Sequence, residues 1–152
     1  MTNAVLSRPR VLLVFRTIII NNLKILLIQR SKKDTHEPLK WEIPGGKLDK
    51  GQDLMEAAER EIIEEIGLFA TAIKPLVFFN SDIGRNKKYK DIPYIQLAGL
   101  YHTDSEKVRL SFEHENYKWL KFEDALKLDL TQFTKKALLA WEVDIERYIT
   151  NK

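Results

Sequence analysis

Two stretches near the N-terminus, Val11 to Ile20 and Leu23 to Gln29, are dense in Val, Ile and Leu and are separated by Asn21 and Asn22, which predicts a β-hairpin. Ser31 to Lys40 is polar, contains Pro38 and has neither helical nor alternating period, so a loop is expected there, leading to a short strand around Trp41 to Ile43. Pro44, Gly45 and Gly46 then break the chain. From Asp53 to Ile66 the apolar residues Met55, Ala58, Ile62 and Ile66 recur every three or four positions, the period of an amphipathic helix. Asp53 with Glu56 suits its start, and Gly67 suits the left-handed residue that ends it. Strands are predicted at Thr71 to Asn80, Ile92 to Tyr101 and Tyr117 to Lys121, with a basic loop at Asp82 to Asp91. A brief helix over Phe122 to Leu128 and a longer one over Thr131 to Ile149 complete the pattern, the second with Phe133, Ala137, Trp141, Ile145 and Tyr148 in one core-facing stripe.

Strands before, between and after helices indicate an α/β fold, a mixed β-sheet sandwiched between α-helices. At 152 residues, with no repeat, linker or low-complexity tract, one domain over 1–152 is expected. Composition changes this picture little: 44% hydrophobic and 31% charged residues are ordinary for a globular domain, and a net charge of +3 is too small to imply stable binding of nucleic acid. The absence of cysteine removes disulfides, thiolate catalysis and Cys-ligated zinc. The apolar runs fall far short of the ~20 residues that span a bilayer, and no signal-peptide pattern precedes them. A cytoplasmic protein without membrane contact, monomer or homodimer, is the expectation.

The helix over Asp53 to Ile66 carries the unusual chemistry. At about 100° per residue Glu65 lies about 40° to one side of Glu61, toward the apolar face, and Glu64 about 60° to the other. Glu61 and Glu65 are like charges one turn apart, which destabilises a helix by roughly 0.2 to 0.5 kcal/mol unless a cation compensates. A hard divalent cation suits such a cluster, because magnesium takes carboxylate oxygens, keeps several waters and is completed by substrate phosphates. The alternative is a solvated face held by pairs of Arg60 with Glu56 and Glu64.

The flanking residues favour the metal site. Gly46, Arg60, Glu61, Ile62, Glu64, Glu65, Gly67 and Leu68 occupy their places in Gly-x5-Glu-x7-Arg-Glu-U-x-Glu-Glu-x-Gly-U, where U is a bulky aliphatic residue, and only Gln52 departs, standing where the pattern has glutamate. The chain thus resembles the Nudix hydrolase superfamily, of the MutT-like nucleotide pyrophosphohydrolase kind. The approach Trp41 to Leu48 and the late segment Glu113 to Leu120 also resemble the family, from about Val11 to the final helix.

The resemblance implies a Nudix fold and a magnesium-dependent enzyme, with manganese as a substitute, that hydrolyses a phosphoanhydride in a nucleoside diphosphate linked to another group. It implies metal ligation by Glu61, Glu64, Glu65 and the carbonyl of Gly45, and structural roles for Gly46, Gln52, Arg60 and Gly67. Gln52 is expected to accept a hydrogen bond from Arg60. For the general base Glu61 is one candidate and the late segment offers Glu113 and Glu115, of which Glu115 is favoured for its place beside the Tyr117 strand; His114 is a further proton carrier. Trp41, Phe79, Tyr89 and Tyr94 are candidate shelves for a base, and Arg85, with Lys87, Lys88 and Lys90, for phosphates. The substrate expected first is a nucleoside triphosphate or modified nucleotide. A dinucleoside polyphosphate and ADP-ribose are alternatives within the enzyme class, and a non-catalytic nucleotide-binding module is the alternative outside it.

Overall fold

The structure is a computed structural model, and it describes residues 10–83, 92–142 and 147. Among these residues seven strands, β1 (Leu12–Asn21), β2 (Lys24–Arg30), β3 (Trp41–Glu42), β4 (Gly45–Lys47), β5 (Thr71–Ile83), β6 (Pro93–His102) and β7 (His114–Leu120), form one mixed sheet. Among the described residues three helices, α1 (Leu54–Ile66), α2 (Phe122–Ala125) and α3 (Gln132–Ala140), cover it.

Alternation along the two central strands decides which helix lies on which face. Phe15 and Ile19 of β1 with Leu26 and Ile28 of β2 face Ala58, Ile62 and Ile66 of α1. Ile18, Ile20, Ile25 and Leu27, one step out of phase, face Phe122, Ala125, Phe133, Ala137 and Leu138 of α2 and α3. The expected sandwich of a mixed sheet between helices is therefore present. The helix stripe is seen as far as Trp141, and Ile145 and Tyr148 lie outside the described residues. No helix among the described residues is long and apolar enough to cross a membrane.

The sheet is split, and the split makes the site. β1 runs parallel to β6 along nine residue pairs, from Leu12 opposite Tyr94 to Ile20 opposite His102. It pairs with β2 only at Ile20 opposite Ile25 and Asn21 opposite Lys24, after which the two strands part. Into the opening come β3, antiparallel to β2 at Ile28 and Gln29, and β4, antiparallel to β1 at Val14 to Arg16. Thr17 binds the Pro44 carbonyl through both its backbone N–H (2.7 Å) and its hydroxyl (3.1 Å), which fastens the connecting turn inside the gap.

Some boundaries differ from expectation for identifiable reasons. The hairpin turn is Asn22 and Leu23, both at positive φ (44° and 66°), while Asn21 ends β1 and donates its side-chain amide to the Thr103 carbonyl at 2.7 Å. Gly45 and Gly46 were expected to break the chain but pair as a strand. The reason is close approach, since a Cβ on Gly45 would lie 2.0 Å from the Phe15 carbonyl oxygen. β5 extends to Ile83, into the expected basic loop, and β7 begins at His114, three residues earlier than predicted.

Candidate active site at the split of the sheet

Helix α1 starts and ends as its sequence suggests. Asp53 caps it, accepting from the Met55 and Glu56 N–H groups at 2.9 and 3.3 Å, and Gly67 closes it in the left-handed conformation, φ 66°. The three acids grade in burial as their angles on the helix dictate. Glu65, nearest the apolar face, is 6% exposed; the side chain of Glu61 is 19% exposed and that of Glu64 60%.

Buried beside the split, Glu65 accepts the Gly45 N–H at 2.9 Å. Burial pushes its carboxyl up to about 7; Arg16, His114 and the Gly45 N–H act against this, and Glu42 adds to it. Glu61 is also shifted upward, chiefly by burial and further by the like charges of Glu64 and Glu113, with Arg60 opposing. Gly46 leaves room for it, because a Cβ there would meet the Glu61 carboxyl carbon at 2.5 Å.

The late segment is brought to these acids by the end of α1. The last turn of a helix leaves carbonyls without intrahelical partners. Two are used here: Arg109 N–H donates to the Ile66 carbonyl and Ser111 N–H to the Glu65 carbonyl, both at 2.9 Å. The chain turns at Ser111, whose carbonyl accepts from His114 N–H at 3.3 Å, and enters β7. Ligand atoms of Glu65, Glu113 and His114 then lie within 4.8 Å of one another.

A bulge separates the roles of neighbouring residues in β7. Arg30 of β2 stands opposite His114 and Gln29 opposite Asn116, so Glu115 is the extra residue. Its carboxylate accepts from the Lys32 N–H at 2.8 Å and lies 3.5 Å from the Ser31 hydroxyl, which donates to it. His114 turns inward instead, with its side chain 4% exposed. The structure thus brings Glu113 and His114, rather than the favoured Glu115, to the cluster with Glu65.

Beneath the cluster sits a residue that the motif did not single out. Glu42, 3% exposed, is held by Arg30 Nη1 at 2.9 and 3.0 Å, by Arg16 Nη1 at 3.3 Å and by His114 Nε2 at 3.1 Å. Burial alone would raise its carboxyl, but Arg16, the His114 hydrogen bond and Arg30 together hold it at about 2. Arg30 is itself spent on structure, since its remaining donors go to Asp34 at 2.6 Å and the His36 carbonyl at 2.9 Å. Alternation in β1 and β2 gives no sign of this network; an ionisable residue directly after Trp41 in an otherwise apolar strand was the one available signal.

Arg60 does reach the acidic edge, donating from Nη2 to Glu61 at 2.9 Å, and it ties helix to loop through Asp49 at 3.6 Å. Contrary to expectation Gln52 is not its partner: the Gln52 side-chain oxygen accepts the Asp49 N–H at 3.0 Å and closes the turn before α1. Trp41 is corrected from a base shelf to a core residue. The residue is 8% exposed and belongs to the core cluster with α3, with Lys118 Nζ 5.0 Å from the ring centroid. Phe79 stands on the edge strand β5 with its residue surface 65% exposed. Arg85, Lys87, Lys88, Tyr89 and Lys90 lie outside the described residues.

The donor set fits a hard divalent cation. Glu61, Glu65 and Glu113 supply carboxylate oxygens of the type magnesium and manganese take, and buried Glu65 has its charge opposed by its surroundings, which a cation would relieve.

Comparison with known proteins agrees with this geometry. The model of the NUDIX domain family matches residues 11–141. Nucleoside triphosphatase NudI of Escherichia coli O17:K52:H18 is 35% identical over 108 residues, 66% of this chain and 75% of that protein. The crystal structure of a MutT NUDIX hydrolase from Burkholderia pseudomallei superposes with a TM-score of 0.73 at 28% identity, covering 86% of this chain and 98% of that one. A Caenorhabditis elegans Ap4A hydrolase shares the fold, with a TM-score of 0.69 at 24% identity over 90% of this chain and 98% of that one. With the box on α1, the split sheet that receives it and a domain match over nearly the whole chain, this protein belongs to the Nudix hydrolase family and is a pyrophosphohydrolase.

Proposed function

We propose that the chain hydrolyses a nucleoside triphosphate to the monophosphate and pyrophosphate, using magnesium, or manganese in its place. The observation that carries this reading is the convergence of Glu65 and Glu113 beside Glu61, against the Gly45–Gly46 strand. The triphosphate is favoured because the relatives at 35% identity are named nucleoside triphosphatases.

In this reading Glu61 and Glu65 would be the principal metal ligands, with Glu64 at the exposed rim and the Gly45 carbonyl as a backbone ligand. When bound, the cation neutralises phosphate charge and makes a water more acidic. The protein supplies position. Gly45 N–H holds the Glu65 carboxylate in one orientation, and Arg60 does the same for Glu61. Glu113, on the exposed side of the cluster, accepts the proton of the attacking water. The water oxygen bonds to phosphorus as the anhydride P–O bond breaks, and the leaving phosphate takes the electron pair. Phe79 offers an exposed ring on which a base can stack. With small nucleotides as its partners, the enzyme belongs in the cytoplasm.

A panel of nucleoside triphosphates, dinucleoside polyphosphates and ADP-ribose, incubated with magnesium and resolved by chromatography, tests this. Monophosphate plus pyrophosphate from the triphosphates, lost in chelator and restored by metal, is the expected result. Faster turnover of a dinucleoside polyphosphate or ADP-ribose would replace the substrate, and full activity in chelator would remove the metal.

A further inference from the structure

The box supplies oxygen ligands only, yet the cluster beside it contains an imidazole. His114 is buried, its side chain 4% exposed, and its two ring nitrogens have different surroundings. Nε2 is 3.1 Å from Oε1 of Glu42. Nδ1 is buried and has no hydrogen-bond partner among the described residues.

The state of Glu42 decides which nitrogen carries the proton. With Arg30 and Arg16 on it, Glu42 is an ionised carboxylate and only accepts hydrogen bonds. A contact of 3.1 Å therefore requires the hydrogen on Nε2. In the neutral ring that leaves a lone pair on Nδ1. A buried acceptor without a donor is unfavourable, and the carboxylates clustered with this imidazole, Glu65 and Glu113, offer only acceptors in their ionised forms. A cation between these atoms satisfies all three.

We propose that His114 ligates a divalent cation through Nδ1, together with Glu65 and Glu113, and that Glu42 orients the ring from behind. This rests on the metal-dependent reading given above and adds a nitrogen to it; Glu113 would hold the cation through one carboxylate oxygen and keep the other as the proton acceptor. The spacing permits it. Two ligands of one ion at about 2.1 Å each stand up to about 4.2 Å apart, and a ring nitrogen of His114 already lies within 4.8 Å of carboxylate oxygens of Glu65 and Glu113. A carboxylate behind a ligating histidine is the recurrent support for such rings, fixing tautomer and orientation.

The consequence is selectivity. Magnesium prefers oxygen and gives up water reluctantly, whereas manganese and cobalt accept an imidazole. The site should therefore hold manganese more tightly than magnesium, and the difference should depend on His114. His114→Gln leaves Arg16 and Arg30 on Glu42, and its metal-free melting temperature reports whether folding is preserved.

The deciding measurement is pulsed electron paramagnetic resonance of manganese bound to the full chain, prepared with ordinary histidine and again with nitrogen-15 histidine. A directly bound nitrogen whose modulation changes with the histidine isotope is expected, and it should vanish in His114→Gln. In that variant manganese affinity should fall about tenfold, while magnesium affinity changes much less. Bound manganese without histidine-dependent modulation, with turnover still requiring metal, would overturn the nitrogen ligand and leave the hydrolase reading intact. Manganese that does not bind at all, with turnover indifferent to chelator, would overturn both. Should the variant fail to fold, the isotope comparison on the unaltered chain decides by itself.

Discussion

Glu65 and Glu42 are both buried glutamates next to Arg16, and they titrate in opposite directions. Glu42 has Arg16, Arg30 and His114 on its two oxygens, enough to overcome burial; Glu65 has one N–H and more distant charges, and burial wins. The effect on stability follows from the direction of each shift. Glu65 is raised from 4.5 to about 7, so the metal-free protein binds more protons than the unfolded chain between those values. Stability from this group is present in full below about pH 4.5, declines as pH rises through about 7, and amounts to the order of 3 kcal/mol. Glu42, lowered to about 2, acts outside that window, stabilising above about pH 4.5 and losing its contribution as pH falls toward 2. The metal-free protein should thus melt at a lower temperature at pH 8 than at pH 5.5, and Glu65→Gln should flatten that slope while abolishing tight metal binding and nearly all turnover. Thermal melts across pH, paired with manganese titration calorimetry, check this. An unchanged slope and unchanged metal affinity in the variant would remove Glu65 from its role.

Strand β4 exists because of what two glycines lack. Gly45 lies at φ 156° with its missing Cβ directed at the Phe15 carbonyl and the Arg16 backbone, so alanine there pushes β4 off β1 and carries the Glu65 hydrogen bond with it. Gly51, at φ 81° with nothing within 4 Å of a Cβ, offers the comparison. Gly51→Ala should cost about 1 to 2 kcal/mol from backbone conformation alone, whereas Gly45→Ala should cost about 3 kcal/mol or more. Urea unfolding of the two variants measures the difference. Equal losses would mean that β4 does not depend on the close approach.

The whole molecule decides where a substrate is cut. The acids of α1, the turn between β3 and β4, and the entry to β7 meet where β1 and β2 separate, and each comes from a distant part of the chain. A site assembled this way handles phosphates and leaves the sugar and base outside the reacting centre. Turnover in oxygen-18 water should place the label on a phosphoryl group of one product, as mass spectrometry of both products would show. Label on a sugar or base carbon would rule out the mechanism proposed.

Much of this was legible from the chain alone, because it depends on local spacing. The helical period, the Asp53 and Gly67 caps and the angles between Glu61, Glu64 and Glu65 follow from 3.6 residues per turn, and the burial order of the three acids came out as those angles require. The alternation in β1 and β2 likewise divides their side chains between two faces. Tertiary structure alone decided the rest. Whether Glu113 or Glu115 joins the cluster turns on a bulge opposite Gln29 and Arg30, and a one-residue change of register moves a side chain to the other face. Glu42 reads as a strand residue until Arg16, Arg30 and His114, from three other strands, close around it. No local pattern encodes that meeting, since it depends on where β1 and β2 part.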